Sequence, residues 1–399
     1  MKAAIMGYGT IGSGVAKVLE ENAAVISRRA GEPIELKWVL DLRDFSGDPI
    51  HPKIVHDYKK IVYDPEVKLV VETMGGVEPA YTFVKAMLTH GKHVATSNKA
   101  LVAAKGAELI QIAADNHVNF MFEASVGGGI PIIRPILKCV TGDVLEKVYG
   151  IVNGTTNYML TKMAADGADY SSVLKEAQDL GYAEKDPTAD VEGFDAARKI
   201  AILTSLVAGR QVDYEDIPTE GISHVTPEDM KYAEAGGKKI KLIATMDASG
   251  DSYFVRVAPF VVSPESPLFA VDDVMNAIMI HGNMLGDAMF YGSGAGSLPT
   301  ASAVVGDLVE ECRHVMRHVD FDWDPVKLPL KDPADQAYRF FIRAARSKED
   351  ISAAFGTVSF IENVIDGEVG FVTEMISERD FEEKKKDFGD VISAIRVLD

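Results

Sequence analysis

Apolar and polar positions follow two rhythms along the first third of the chain. Short, almost wholly apolar runs at Lys2–Met6, Ile34–Leu40, Lys68–Thr73, His93–Thr96 and Asn119–Glu123 read as strands buried on both faces. Between them lie segments with helical spacing, such as Val15, Val18 and Leu19, and the stretch Glu78–Gly91. Strand alternating with helix predicts an α/β fold with an N-terminal doubly wound parallel sheet of the Rossmann kind. Ligands of such sheets gather at the carboxyl ends of strands. Thr73, Lys99 and Glu123 all fall at predicted ends.

From Pro131 the rhythm changes. Ile132–Val140 is helical, Val144–Val152 a strand, Asn153–Asn157 a polar turn and Tyr158–Asp166 a helix. A helix over Ala196–Ala208 and paired strands at Lys238–Ala248 and Tyr253–Phe260 complete an α+β domain whose apolar strands would pair with a second copy. Tyr291–Thr300 is a glycine-rich loop opening the apolar helix Ala301–His314, with Thr300 or Ser302 as cap, and this helix returns to the N-terminal domain. Asp320–Pro333 reads as a linker.

The tail runs strand Ala337–Ala344, helix Lys348–Phe355, strand Thr357–Ile365, turn Asp366-Gly367, strand Glu368–Ile376, helix Asp380–Phe388 and strand Val391–Val397. That βαββαβ order predicts a ferredoxin-like C-terminal unit. The expected domains are 1–130 with a return helix at about 297–318, then 131–296, then 334–399.

Charge narrows the function. Sixty Asp and Glu against 41 Lys and Arg give a net charge of −19, which excludes a general nucleic-acid or anionic-membrane binder. No apolar run approaches the roughly 20 residues of a membrane helix. The two cysteines, Cys139 and Cys312, make no disulfide framework and read as small buried apolar residues in a reducing cytoplasm.

Three stretches carry chemistry. Gly7-Tyr8-Gly9-Thr10-Ile11-Gly12 lies between a strand and a helix, the context that a dinucleotide-binding G-x-G-x-x-G requires. Gly7 makes the tight turn, Gly9 admits the pyrophosphate, Gly12 lets helix and strand pack, and the helix N-terminus faces the phosphates. Asp41, closing the second strand, favours the ribose hydroxyls of NAD; Arg43, two residues on, favours the 2′-phosphate of NADP. Both cofactors stay open.

The turn Glu123-Ala124-Ser125-Val126-Gly127-Gly128-Gly129-Ile130 presents one carboxylate and several carbonyls, which suits a hard cation or a plain interdomain hinge. The stretch Ala177–Leu203 holds Asp179, Glu184, Asp186, Asp190, Glu192 and Asp195 in a turn-rich loop, followed by Lys199 on a helix. Asp195 and Lys199 are four apart and share a helix face. Carboxylates there suit a substrate ammonium, and the lysine suits proton exchange with a substrate oxygen. The other reading is a solvated loop with a surface ion pair. His281, beside Gly282 and Asn283, reads as a buried hydrogen-bonded histidine or a loop position rather than a ligand.

With these pieces placed, the sequence resembles the homoserine dehydrogenase family. The likeness rests on GYGTIG at 7–12, SNKALVA at 97–103, EASVGGGIP at 123–131, GIVNGTTNYMLTKM at 150–163, LGYAEKDPTADVEGFDAARK at 180–199 and GSGAGSLPTASAVVGDL at 292–308. It implies NAD(P)-dependent, reversible reduction of L-aspartate 4-semialdehyde to L-homoserine in a cytoplasmic homo-oligomer, a dimer or tetramer. By this resemblance the α+β domain would be the substrate-binding and dimerisation domain. Lys199 would be the proton donor, with Lys99 at the nicotinamide. Glu184, Asp195, Asp190 and Thr155 would hold substrate. Gly7, Gly9, Thr10, Ile11, Gly12, Gly14, Asp41, Arg43, Thr73, Lys99 and Gly181 would meet the cofactor. Glu123, Val126, Gly128 and Ile130 would bind a sodium-like ion.

The tail resembles an ACT-like regulatory unit by element order alone, with Ala345–Asp350 standing where that unit carries a glycine-bearing effector loop. Two other readings are a dehydrogenase of a related amino-acid aldehyde and a catalytically silent NAD or amino-acid sensor.

Overall fold

The computed structural model describes residues 1–250, 252–315, 317–362 and 364–398. The chain divides into two compact units, residues 1–144 with 201–214 and 290–328, and residues 145–200 with 215–289 and 329–399.

The first unit is built on strands β1 Lys2–Met6, β2 Glu35–Leu40, β3 Ile54–Val55, β4 Val67–Glu72, β5 His93–Thr96 and β6 Phe120–Met121. Their order is β3-β2-β1-β4-β5-β6, every pair parallel. This is the doubly wound order with its reversal between β1 and β4, where a dinucleotide crevice lies. The apolar runs are continuous because both sheet faces are covered: Ala3, Ile5, Leu69, Val71 and Ala95 are buried in one core with Val15 and Leu19.

The return helix spans Ser297–Arg313 and adds Ala301, Val304, Val305 and Leu308 to that same core. It starts earlier than the expected Ala301, with Gly296 at φ +114 as its cap instead of Thr300 or Ser302. The expected linker 320–333 is also more ordered than its Asp and Pro content suggests. It holds β13 Asp324–Lys327, paired with β8 Arg210–Gln211, and the buried Trp323, whose ring lies where a Cβ on Gly106 would reach 3.1 Å.

Inside the return helix, Glu311 is fully buried and neither carboxyl oxygen has a hydrogen-bond partner among the described residues. Burial, reinforced by Asp307, pushes its pKa well above the carboxylate range. An acid raised on folding stabilises fully below its ordinary range and loses that contribution as pH climbs through its folded value. Glu311→Gln is therefore expected to be more stable than the parent at about pH 8. It should differ little at about pH 4. Urea unfolding at the two pH values checks this, and equal gains at both would contradict it.

The second unit carries β7 Leu145–Ile151, β9 Lys239–Ser249, β10 Ser252–Val262, β11 Met275–Gly282, the first half of β12 Gly286–Ser293, β14 Ala337–Ala344, β15 Val358–Ile361, β16 Val369–Thr373, β17 Ile376–Ser377 and β18 Val391–Leu398. They form one sheet in the order β12-β11-β7-β9-β10-β18-β14-β16-β15, with β17 on β14. The tail thus has the expected βαββαβ elements, with helices Lys348–Phe355 and Glu378–Phe388, and the strand order β18-β14-β16-β15. Asn363, within the expected strand Thr357–Ile365, lies outside the described residues.

The tail's sheet is continuous with the central strands, because β18 pairs in parallel with β10 through Phe260 and Arg396. Ions hold this seam: Glu378 accepts from Arg256 at 2.7 Å and from Arg396, which also reaches Glu220 at 2.8 Å. Three local expectations are corrected here. His281 is hydrogen-bonded as expected, to Asp287 at 2.7 Å, but it is half-buried on strand β11 and neither fully buried nor in a loop. Cys139 is exposed and Cys312 half-buried, so neither is a core residue. The polar turn Asn153–Asn157 is the first turn of helix Gly154–Asp166, because the Asn153 side chain caps the Thr156 amide.

Candidate active site

In the first unit the residues after β1 make the dinucleotide turn. Gly7 has φ +95, which favours glycine, and a Cβ on Gly12 would lie 1.9 Å from the Gly7 carbonyl. Nothing lies within 4 Å of where a Cβ on Gly9 would sit, so the backbone there faces open space at the start of helix Thr10–Glu21. That open cradle at a helix N-terminus fits a pyrophosphate. Gly14 is buried differently: its Cβ position is 2.6 Å from Ser297 Oγ, so it serves the packing of the return helix. Ser297 Oγ in turn donates to the Thr10 carbonyl at 2.6 Å. Gly12→Ala is expected to abolish measurable cofactor binding by fluorescence titration, and near-parental binding would contradict this reading of the turn.

Asp41 and Arg43, which pointed to different cofactors, form a single pair. Asp41 accepts from the Tyr8 amide at 2.8 Å and the Arg43 amide at 3.0 Å, and from the guanidinium through Nε and a terminal nitrogen at 3.0 Å each. The Arg43 guanidinium, followed by the backbone donors, brings the Asp41 pKa down to about 2. Arg43 keeps 62% of its side chain exposed and lies 4.5 Å from the Phe45 ring centre. The set offers an anionic acceptor and an exposed planar cation at one strand end, and this fits the adenosine side of either dinucleotide.

Thr73 follows β4 and donates to the Gly7 carbonyl at 2.8 Å. It stands in the crevice, since its hydroxyl would be 3.0 Å from a Cβ on Gly12. Lys99 is the first residue of helix Lys99–Asp115, whose cap is Asn98.

Glu123 is 1% exposed. Its carboxylate accepts from the amides of Ile132 at 2.6 Å, Ile133 at 2.9 Å and Arg134 at 2.9 Å, and from Arg134 Nε at 2.9 Å. Asp307 accepts from the Glu123 amide at 2.9 Å. The carboxylate is thus spent on the segment that follows the glycines. A cation at this turn would meet carbonyls instead. Among the described residues no group of three or more His, Cys, Asp or Glu side chains is arranged to hold a metal.

The second unit gathers the other predicted residues. Lys199 lies on helix Phe194–Ala208, 8% exposed, and donates to the Val152 carbonyl at 2.6 Å and to Asp195 at 2.7 Å. This is no solvated surface pair, because Asp195 is only 4% exposed. Asn153 joins the cluster by donating through one amide group to Asp190 at 2.8 Å and to Asp195 at 2.8 Å.

One side chain therefore caps a helix and ties two acids beside the lysine. Sequence reasoning passed over Asn153 as part of a turn; an Asn before an amphipathic run was the available signal. An ammonium has three donors, and two of those on Lys199 are engaged by Val152 and Asp195. Thr155 donates to the Tyr182 carbonyl at 2.6 Å, fastening the acidic loop to the start of that helix. Glu184 and Gly181 lie on this loop and are exposed, Gly181 with φ +77.

A sequence profile described as "Homoserine dehydrogenase, NAD binding domain" matches residues 7–123, and one described as "Homoserine dehydrogenase" matches 131–309. The chain belongs to the homoserine dehydrogenase family. A homoserine dehydrogenase of Bacillus subtilis is 38% identical over 412 residues, covering 98% of this chain and 95% of its own. The crystal structure of a homoserine dehydrogenase from Thiobacillus denitrificans matches with a TM-score of 0.91 at 34% identity, covering 100% of this chain and 98% of that one. A hyperthermophilic archaeal homoserine dehydrogenase in complex with NADPH matches with a TM-score of 0.64 at 26% identity, over 78% of this chain and 97% of that one. Members of the homoserine dehydrogenase family, this chain included, are NAD(P)-dependent oxidoreductases acting on a CH–OH group. Among the described residues no helix is long and apolar enough to cross a membrane.

Proposed function

We propose that this chain interconverts L-aspartate 4-semialdehyde and L-homoserine, with Lys199 as the proton donor and acceptor at the substrate oxygen. The observation that carries this reading is the buried set Asn153, Asp190, Asp195 and Lys199, with two of the three ammonium protons engaged by Val152 and Asp195. When bound, the reduced nicotinamide supplies the hydride to the aldehyde carbon. Negative charge then builds on the oxygen, and a lysine ammonium in hydrogen-bond reach stabilises that charge and gives up one proton to form the alcohol. Asp195 holds the lysine in place. Asp190 and Glu184, with Thr155 fixing the loop, recognise the substrate ammonium. Lys99 orients the reacting end of the cofactor, and Gly7, Gly9 to Gly12, Asp41, Arg43, Thr73 and Gly181 hold the rest.

Carbonyls of the turn at Val126, Gly128 and Ile130 suit a sodium-like ion, with Glu123 fixing the turn's shape. We assign 1–130, 131–296 and 334–399 the dinucleotide, substrate and ACT-like roles; the tail's strand order supports the last of these. The enzyme works in the cytoplasm as a homodimer or tetramer. Exposed Met284, Leu285 and Met289 on the β11–β12 hairpin support self-association.

Initial rates with L-homoserine and NAD+ or NADP+, with and without L-threonine, test the reading. A panel of other amino alcohols is run alongside. Saturable reduction with homoserine is expected. Faster turnover of another amino alcohol would point to a related aldehyde as substrate, and no turnover of any would point to a sensor.

A further inference from the structure

We propose that Glu72 is a positioning residue that fixes Lys99 against the loop that follows β4; this rests on the role given to Lys99 above. Glu72 ends β4 and is fully buried. One carboxylate oxygen accepts from the Met74 amide at 2.7 Å, and the other accepts from the Thr96 hydroxyl at 2.5 Å. Thr96 ends the neighbouring strand β5, and its hydroxyl oxygen accepts from the Asn98 amide at 3.0 Å. Asn98 then does two things: its side-chain oxygen caps the Leu101 amide at 3.1 Å, and its side-chain nitrogen donates to the Gly76 carbonyl at 2.6 Å.

The bonds close a ring. It runs from Glu72 through Thr96 and Asn98 to Gly76, and back along the loop through Met74. Lys99 is the next residue after Asn98 and the first of its helix. A single buried carboxylate therefore sets both the loop after β4 and the start of the helix that presents Lys99. The loop cannot hold this shape unaided, since Gly75 and Gly76 sit at φ +81 and +72 and have wide conformational freedom.

A role in folding alone would not call for an acid. Burial raises the pKa of Glu72, which marks the site as a costly place for a charge. Apolar residues of like volume often serve a fold equally well at such positions. The acid instead stands at a strand's carboxyl end beside the sheet's reversal point, where function resides in this architecture. Supporting shells of this kind hold reactive groups in productive geometry, and displacement by about 1 Å can cost up to about a hundredfold in rate.

The test is a double-mutant cycle on the full-length enzyme with L-homoserine and NAD(P)+. Glu72→Gln and Thr96→Val are each expected to lower kcat by about ten- to a hundredfold. The dissociation constant of NAD(P)H, read by fluorescence titration, should stay near the parent value. Glu72→Gln made on top of Lys99→Ala should add no further loss, because both act through one group. Unaffected kcat in both single variants, or losses that multiply in the double variant, would overturn the proposal while leaving the role of Lys99 intact. Full activity in Lys99→Ala would overturn both. Should Glu72→Gln fail to fold, Thr96→Val with Lys99→Ala completes the same cycle.

Discussion

Lys199→Ala is expected to lower kcat by about 10²- to 10⁴-fold, the range typical of a lost general acid. NAD(P)H should still bind with its parental dissociation constant, because every cofactor contact described for the first unit is untouched. The variant also removes the ion pair that Lys199 makes with buried Asp195, so thermal stability will fall as well. Lys199→Arg separates the two effects. It restores a charge beside Asp195 yet cannot release a proton in the working pH range, so it should recover stability without recovering rate. Near-parental kcat in either variant would remove the lysine from the chemistry.

The second large effect falls on stability. Glu123→Ala strips the acceptor from three backbone amides and from Arg134, all converging on a carboxylate that is 1% exposed. A loss of about 3–5 kcal/mol is expected, the usual result of removing one partner from a buried charged network. Glu123→Gln keeps the shape but replaces one oxygen with a donor that faces the Arg134 amide and guanidinium, and should fall between the parent and the alanine variant. Urea unfolding monitored by circular dichroism gives the values. A loss below about 1 kcal/mol in Glu123→Ala would show that the turn is held by other contacts.

The architecture of the first unit was readable because its signals are local. A buried parallel strand is an apolar run in any context, and G-x-G-x-x-G between strand and helix needs only neighbouring residues to be seen. The Asp195–Lys199 pair was readable for the same reason, being a four-residue spacing on one helix. What stayed hidden depends on distant partners. Asn153 reaches Asp195 across 42 positions, and Glu72 reaches Thr96 across 24, so neither network leaves a periodic trace.

Asp41 and Arg43 are bonded to each other, a pairing that spacing alone left open. The tail's element order was legible, but its joining to the central sheet through β10 and β18 was not, since strand order is a tertiary fact. Cys139 and His281 were misplaced because composition predicts only average burial.

The most direct measurement is a crystal structure of the enzyme with NAD(P)+ and L-homoserine. The substrate hydroxyl should lie about 2.6–3.2 Å from Lys199 Nζ, with Val152 and Asp195 still holding the other two protons. Homoserine bound with its hydroxyl on another side chain, or with its ammonium away from Glu184 and Asp190, would contradict the account.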